Sequence, residues 1–186
     1  MATRFGWFVG LAALVLVLFR LDRVLDNGAT SPNWLLVAVA AGLIGALITW
    51  ICHSYRLGTV ATMVAHLVGM TLLVARVTAA STLVAGFVPA AATPGTVAKE
   101  LGLAIDILRF GAPPVLAVPG LVALVGVGMW VLASAWTSGL LADRLWLGIV
   151  PPLGFYLYLA VMDRADSEPV WLITFALLAA SGLLAT

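Results

Sequence analysis

The chain has 186 residues, of which 63% are hydrophobic and only 9% are charged, and its mean hydropathy is +1.17. A soluble domain averages roughly 45–50% apolar and about 25% charged residues. A water-surrounded fold of this size could not bury so much apolar surface, so we expect a lipid bilayer as the solvent. Nine Lys or Arg against eight Asp or Glu give a net charge of +1. This balance excludes the polybasic surface of a nucleic-acid-binding protein.

Charged residues and prolines divide the chain into six apolar segments, each near the roughly 20 residues that a transmembrane helix needs. The N-terminal segment has the basic start and apolar core of a signal peptide. It ends in Arg20, Asp22 and Arg23 without a small-residue cleavage site, so we interpret it as a retained span whose arginines extend to the interface. The sequence therefore predicts an all-α polytopic membrane bundle with spans over residues 5–25, 34–53, 57–77, 115–137, 145–162 and 170–186.

The third span lies in an unusually long apolar stretch. From 57 to 88 its only ionisable residues are His66 and Arg76, and a helix of that length would exceed the roughly 30 Å hydrocarbon core. The favoured interpretation is a span ending near Arg76 with a helical extension above the membrane. The alternative is a re-entrant segment over 77–88, which is too short to cross.

Residues 96–110 show the alternation of an amphipathic surface helix. Asp106 and Arg109 lie on its polar side, and prolines and glycines bound it at both ends. A helix of this kind lies along the membrane surface or covers one end of a bundle. Its predicted apolar face consists of Val97, Leu101, Ala104 and Leu108.

Two features distinguish the C-terminal third. Pro151-Pro152 predicts a kink or a late start in the fifth span, and an acidic loop at 163–169 separates it from the sixth. The sixth span runs to Thr186 without the aromatic or basic residues that usually end a span, so we expect the chain to be one piece of a longer protein.

Charge does not settle the orientation. With a cytoplasmic N-terminus, six of the nine Lys or Arg lie outside, which by the positive-inside rule favours the opposite orientation. Seven of the eight acidic residues share that side, so net charge favours the first orientation. The basic residues that would then lie outside are Arg20, Arg23, Arg76, Lys99, Arg109 and Arg164.

His66, Arg76, Asp106 and Arg109 are the candidate polar site residues. An ionisable side chain inside a span is a functional candidate by default, although His66 could simply donate a hydrogen bond to a carbonyl of a neighbouring helix. Arg76 is interpreted either as an interface anchor or as a buried partner of Asp106 or Glu100. No catalytic, cofactor-binding or metal-binding set is predicted, because the single Cys52 and the two histidines lie apart or point apart.

Tryptophans and small residues complete the pattern. Trp34, Trp136, Trp146 and Trp171 fall near predicted span ends and are interpreted as interfacial belts. Ala38, Gly42 and Ala46 form a stripe of small residues in the second span, and Gly6 and Gly10 form a shorter one in the first. Such stripes let helix backbones approach closely, here more within the bundle than between two copies.

The second half resembles the N-terminal membrane domain of actinobacterial transglutaminase-like proteins of the TgpA type. The resemblance covers about residues 95–186, and residues 1–94 share only the number of helices. A single arginine, Arg144, stands where the family has a basic pair after the fourth span. The resemblance rests on AIDILR (104–109), APPV (112–115), PGLVALVGVG (119–128), LWLGIVPPL (145–153) and WLITFALLAASGLL (171–184).

The resemblance implies a cytoplasmic N-terminus, an external helix at 96–110 and an external loop at 163–169. In that family a basic cytoplasmic segment, a further span and an extracytoplasmic domain with a Cys–His–Asp triad follow the multi-helix region. Cys52 does not correspond to that nucleophile, so no catalytic residue carries over.

The leading hypothesis is a non-catalytic domain that anchors a transglutaminase-like cell-envelope protein in the inner membrane. Its expected partners are the lipid bilayer, other membrane helices and an extracytoplasmic domain, without a cofactor. The alternative is a small six-helix transporter or substrate-binding subunit with a site around His66, Arg76 and Pro151-Pro152. A third hypothesis is an assembly subunit with apolar faces open to partners.

Overall fold

The computed structural model describes residues 2–26, 33–111 and 114–162, and these are predominantly helical, as the sequence predicts. The sixth predicted span and the acidic loop at 163–169 lie outside the described residues. Six helices are present in the described ranges: α1 (Ala2–Val24), α2 (Trp34–Ser54), α3 (Thr59–Thr78), α4 (Thr93–Phe110), α5 (Pro119–Leu141) and α6 (Leu145–Met162). Within these ranges three of them, α2, α3 and α5, are long and apolar enough to cross a membrane.

Helix α5 is the centre of the structure, because most of its side chains are buried and the other five helices pack around it. Its contacts with α2 advance in the same chain direction on both helices. Gly126 of α5 faces Val37 and Ala41 of α2, and further along, Trp130 and Ser134 of α5 face Gly45 of α2. These two helices are therefore parallel. Gly69 of α3 contacts Trp130, while Leu73 contacts Gly126, so α3 is antiparallel to α5.

The small-residue stripe of α2 lies inside this arrangement. Ala38 is fully buried, and Gly42 lies against Ala133 and the Met129 carbonyl of α5. In the first span, Gly10 lies so close to Trp136 that a Cβ would overlap the indole. These small residues thus serve contacts between helices of one chain.

Short hydrogen-bonded segments fix the helix ends. The Asn33 side chain accepts hydrogen bonds from the amides of Leu35 and Leu36 at 3.1 and 3.3 Å, which caps the N-terminus of α2. The C-termini of α2 and α5 are each followed by a residue in the left-handed conformation, Arg56 (φ 52°) and Asp143 (φ 55°). In each case the next amide bonds a carbonyl five residues back, at 2.9 Å for α2 and 2.8 Å for α5.

A hairpin follows α3 where a helical extension was favoured. Helix α3 ends at Thr78, close to Arg76 as expected, but a 3₁₀ turn (Ala80–Thr82) and two antiparallel strands, β1 (Leu83–Val84) and β2 (Val88–Pro89), come next. Ala85 and Gly86 form the turn with positive φ. The predicted helical extension is wrong, because this segment forms a 3₁₀ turn and strand hydrogen bonds instead. The re-entrant alternative stays a prediction.

The boundaries of α4 and α5 also differ from the sequence prediction, whereas α6 covers the predicted residues 145–162. Helix α4 begins at Thr93, and its packed face includes Ala104 and Ile107, whereas Leu108 of the predicted face is exposed. Residues 115–116 pair with 25–26 as a short parallel ladder, so α5 begins only at Pro119, whose fixed φ suits a first helical position. The predicted late start of α6 is wrong, since the helix is continuous from Leu145 through both prolines.

Three large polar or amphipathic side chains are buried against expectation. Trp34 is fully buried and Trp136 is 5% exposed, so neither belongs to an interfacial belt, while Trp50 of α2 is half exposed. The side chains of Trp146 and Trp171 lie outside the described set. Arg20 is buried beside Tyr156 of α6 rather than extended to the surface, although Arg23 is exposed.

Candidate functional site

His66 lies at the junction of three helices. The indole Nε1 of Trp130 on α5 donates to His66 Nδ1 at 2.9 Å, and His66 Nε2 lies 3.2 Å from Thr49 Oγ1 on α2. The Thr49 hydroxyl in turn donates to the Gly45 carbonyl at 2.9 Å. We call these four residues the histidine junction.

The hydrogen bonds of the junction fix the proton on His66. An indole N–H can only donate, so Nδ1 accepts and the proton of the neutral ring sits on Nε2. Nε2 then donates to Thr49 Oγ1, whose own hydrogen is used on the Gly45 carbonyl. Every donor is matched to one acceptor in this neutral arrangement. A second proton on Nδ1 would face the Trp130 N–H, so the hydrogen bond from Trp130 to His66 would be lost.

Two glycines make room for the Trp130 indole. A Cβ on Gly45 would come within 2.9 Å of the indole Cδ1, and a Cβ on Gly69 would overlap its outer ring edge. The indole is therefore held between α2 and α3, with the imidazole ring 6.2 Å away and at 78° to it. Trp130 is 1% exposed as a result.

The junction suits a structural cross-link better than a reaction centre. His66 is the eighth residue of α3 and Trp130 the twelfth of α5, so the network lies well inside both helices. No group of three or more His, Cys, Asp or Glu residues that could hold a metal ion exists among the described residues. A hydrogen bond inside a membrane bundle contributes about 0.6 kcal/mol on average and up to about 1.7 kcal/mol.

The other candidate polar residues lie elsewhere. Arg76 is exposed in the last turn of α3, ten residues and about 15 Å along the helix from His66. Asp106 and Arg109 are exposed on α4. No ion pair joins Arg76 to Asp106 or Glu100 within the described part of the chain. The structure therefore places His66 in the bundle interior and the other three on exposed surface.

Several cavities lie between the helices in the described part of the chain, and three of them are larger than 200 Å³. One of about 230 Å³ opens at mid-depth between α1, α2 and α5 and is lined by apolar side chains and Trp136. A second of about 380 Å³ lies between α3 and α4 and is also mainly apolar. The third, of about 430 Å³, lies at the end where α2 and α5 finish and α3 begins, and it contains most of the polar lining.

Only part of the histidine junction could be recognised from the sequence. His66 is conspicuous as an ionisable residue in an apolar run, but its partners are 17 and 64 residues away along the chain. Thr49 is the only hydroxyl-bearing residue in the predicted second span, 34–53, and Trp130 falls mid-span rather than at an end. These two positions are the features that could have identified the partners.

Thr49→Val is expected to lower the free energy of unfolding in detergent by about 0.6–1.7 kcal/mol, because the His66 Nε2 proton would lose its acceptor. The matched control is Thr71→Val, since the exposed Thr71 hydroxyl bonds only the Leu67 carbonyl of its own helix. We expect this control to change stability by less than about 0.5 kcal/mol. Equal effects in a denaturant titration would contradict the assigned role of Thr49.

Comparison with known proteins gives no relative. No family model, curated protein or solved structure matches the chain. The resemblance of residues 95–186 to the TgpA-type membrane domain therefore rests on the quoted segments alone.

Proposed function

We propose that this chain is a non-catalytic membrane-anchoring domain that crosses the cytoplasmic membrane six times. The observation that carries the proposal is the distribution of apolar surface. Leu43 on α2 and Met63 and Leu67 on α3 are about two-thirds exposed, while the polar contacts of the same helices point towards α5. Exposed side chains of this kind are stable against lipid and unstable against water.

The anchor is favoured over a transporter by what surrounds the interior histidine. His66 uses both ring nitrogens within the junction, and the cavity at mid-depth between α1, α2 and α5 is apolar. Arg76 and the Pro151-Pro152 segment, which the transport hypothesis places around one site with His66, lie on a different surface and on a helix that packs against α1 and α5. A mid-depth substrate site is thus not supported by the groups that would form it.

The parent protein is proposed from the resemblance alone. An α5-centred bundle in the inner membrane would hold a transglutaminase-like domain at the outer face. The reading frame downstream of the Thr186 codon tests this part. A Cys–His–Asp domain in frame would support it, and a stop codon directly after Thr186 would remove it.

The six crossings predict an alternating pattern of reporter activity. Alkaline phosphatase, which is active only outside the cytoplasm, is expected to be active when fused after residues 30, 86, 112 or 166 and inactive after 57, 143 or 186. Green fluorescent protein at the same positions is the matched control, because it should give the opposite pattern. Inversion at every position would contradict the orientation, and loss of alternation beyond 143 would contradict six crossings.

A further inference from the structure

The hairpin between α3 and α4 presents apolar side chains that the rest of the described chain leaves uncovered. Val84, Phe87 and Val88 are each more than half exposed, and Phe87 in the turn is 72% exposed. Residues 77–98, which contain the whole hairpin, include no ionisable side chain. Exposed edge strands in water commonly carry charged side chains, which prevent association. The composition of this hairpin is therefore not typical of a segment surrounded by water.

A buried threonine holds the base of the hairpin. Thr93, the first residue of α4, is 3% exposed, and its Oγ1 accepts a hydrogen bond from the Ala90 amide at 2.9 Å. The same oxygen lies 2.9 Å from Thr82 Oγ1, whose hydroxyl donates to the Ala79 carbonyl at 2.8 Å. Both arms of the hairpin are thus hydrogen-bonded to the start of α4, and the exposed apolar side chains project from a fixed base.

The apolar surface of the hairpin continues onto α3. Pro89 of β2 lines the cavity of about 380 Å³ together with Met70 and Thr71 of α3. Thr71 is exposed, and the exposed Leu67 lies one turn earlier on the same face of the helix. Helix α3 is long and apolar enough to cross a membrane, and little of it is buried within the described chain. A lipid acyl chain along α3 would therefore reach the hairpin without leaving apolar surface.

We propose that the turn of this hairpin inserts into the lipid leaflet at the C-terminal end of α3, an inference that rests on the proposed membrane location. Phe87 is the largest side chain of the inserted part, with Val84 and Val88 on either side of the turn. Lipid is favoured over a protein partner because the apolar surface is continuous with the exposed side of α3. The absence of charge in residues 77–98 also suits lipid, which requires no matching polar group.

Backbone hydrogen bonding limits the depth of insertion. Within the described residues, β1 and β2 pair only with each other, so each strand keeps one edge of unpaired amides and carbonyls. Such groups are costly in the hydrocarbon core, where no water can bind them. The hairpin therefore lies at the boundary between headgroups and acyl chains, with its apolar side chains about 5–10 Å deep, as in an interfacial segment.

Fluorescent labels on introduced cysteines test the position of the turn in the full chain. Cys52→Ala removes the native thiol, and Phe87→Cys, Leu67→Cys or Lys99→Cys then supplies one labelling site for an uncharged fluorophore. The chain is placed in phosphatidylcholine nanodiscs, which leave both membrane faces open to the buffer. Leu67 is 67% exposed, close to the 72% of Phe87, and is the lipid reference. Lys99 is exposed on α4 and is the water reference.

Two quenchers report water and lipid contact separately. Iodide in the buffer should quench the label at position 87 at least about fivefold less than the label at position 99, because an anion does not leave water for apolar surroundings. Lipids with a nitroxide near the headgroup should quench the label at position 87 more than lipids with a nitroxide at the end of the acyl chain. The reverse order is expected at position 67, which lies near the middle of α3.

Each other result contradicts a defined part of the proposal. Equal iodide quenching at positions 87 and 99 would overturn lipid insertion. Protection from iodide without quenching by either nitroxide lipid would also overturn it, because that is the result for a hairpin covered by protein. Stronger quenching at position 87 by the chain-end nitroxide would disprove the interfacial depth. Failure at position 87 alone disproves only this inference, whereas a label at position 67 that iodide quenches as strongly as the label at position 99 disproves the proposed function.

Discussion

Trp130→Ala is expected to lower the free energy of unfolding in detergent by about 3–5 kcal/mol, as truncation of a buried aromatic side chain usually does. The indole is 1% exposed and fills the space between Gly45 and Gly69, so its removal leaves a cavity between α2, α3 and α5. His66 Nδ1 would also lose its donor. Denaturant titration followed by far-ultraviolet circular dichroism measures the change.

Two controls separate packing from hydrogen bonding at Trp130. Trp50→Ala removes the same type of side chain from a half-exposed position on α2. We expect it to lower the free energy of unfolding by less than about 0.5 kcal/mol. Trp130→Phe retains most of the ring and loses the N–H, and in a double-mutant cycle with His66→Phe it should show a coupling of about 0.6–1.7 kcal/mol. A Trp130→Ala cost no larger than that of Trp50→Ala would disprove the central position assigned to this indole.

The helices could be predicted because apolar runs of bilayer length are a strong local signal. Their ends could not be placed as well, because ends depend on contacts between distant segments. Pro119 begins α5 only because residues 115–116 pair with 25–26. The hairpin before α4 could not be predicted for a different reason: its pairing is local, but Gly86 is the one turn signal in the mainly apolar segment 77–88.

Polar residues could be selected from the sequence, but their environments could not. His66 stands out in an apolar run, yet whether it is free or hydrogen-bonded depends on Thr49 and Trp130, which only the helix arrangement brings near. Burial of Arg20 and Trp34 escaped prediction because side chains with apolar stems and polar tips suit both an interface and an interior. Which of the two applies is decided by the neighbouring helix.

Gly120→Ala is expected to destabilise the contact between α4 and α5 by about 1–3 kcal/mol, the usual cost of overpacking. A Cβ at this position would overlap the backbone carbonyl of Glu100 and come within 3.1 Å of the Ala104 methyl group. A backbone atom cannot move aside as a flexible side chain can, so α4 has to shift. Hydrogen exchange in detergent should show faster exchange of the α4 amides than in the unmodified protein.

Gly128→Ala on the same helix is the matched control, because its Cβ would meet only Phe155 Cζ at 3.9 Å, an ordinary contact. Alanine is favoured over glycine inside a helix by about 0.5–1 kcal/mol, so intrinsic propensity alone predicts that both substitutions stabilise α5. If Gly120→Ala lowers the free energy of unfolding and Gly128→Ala raises it, the difference is due to the contact of Gly120 with Glu100. If Gly120→Ala matched Gly128→Ala in stability and in α4 exchange, the close packing of α4 on the start of α5 would be wrong.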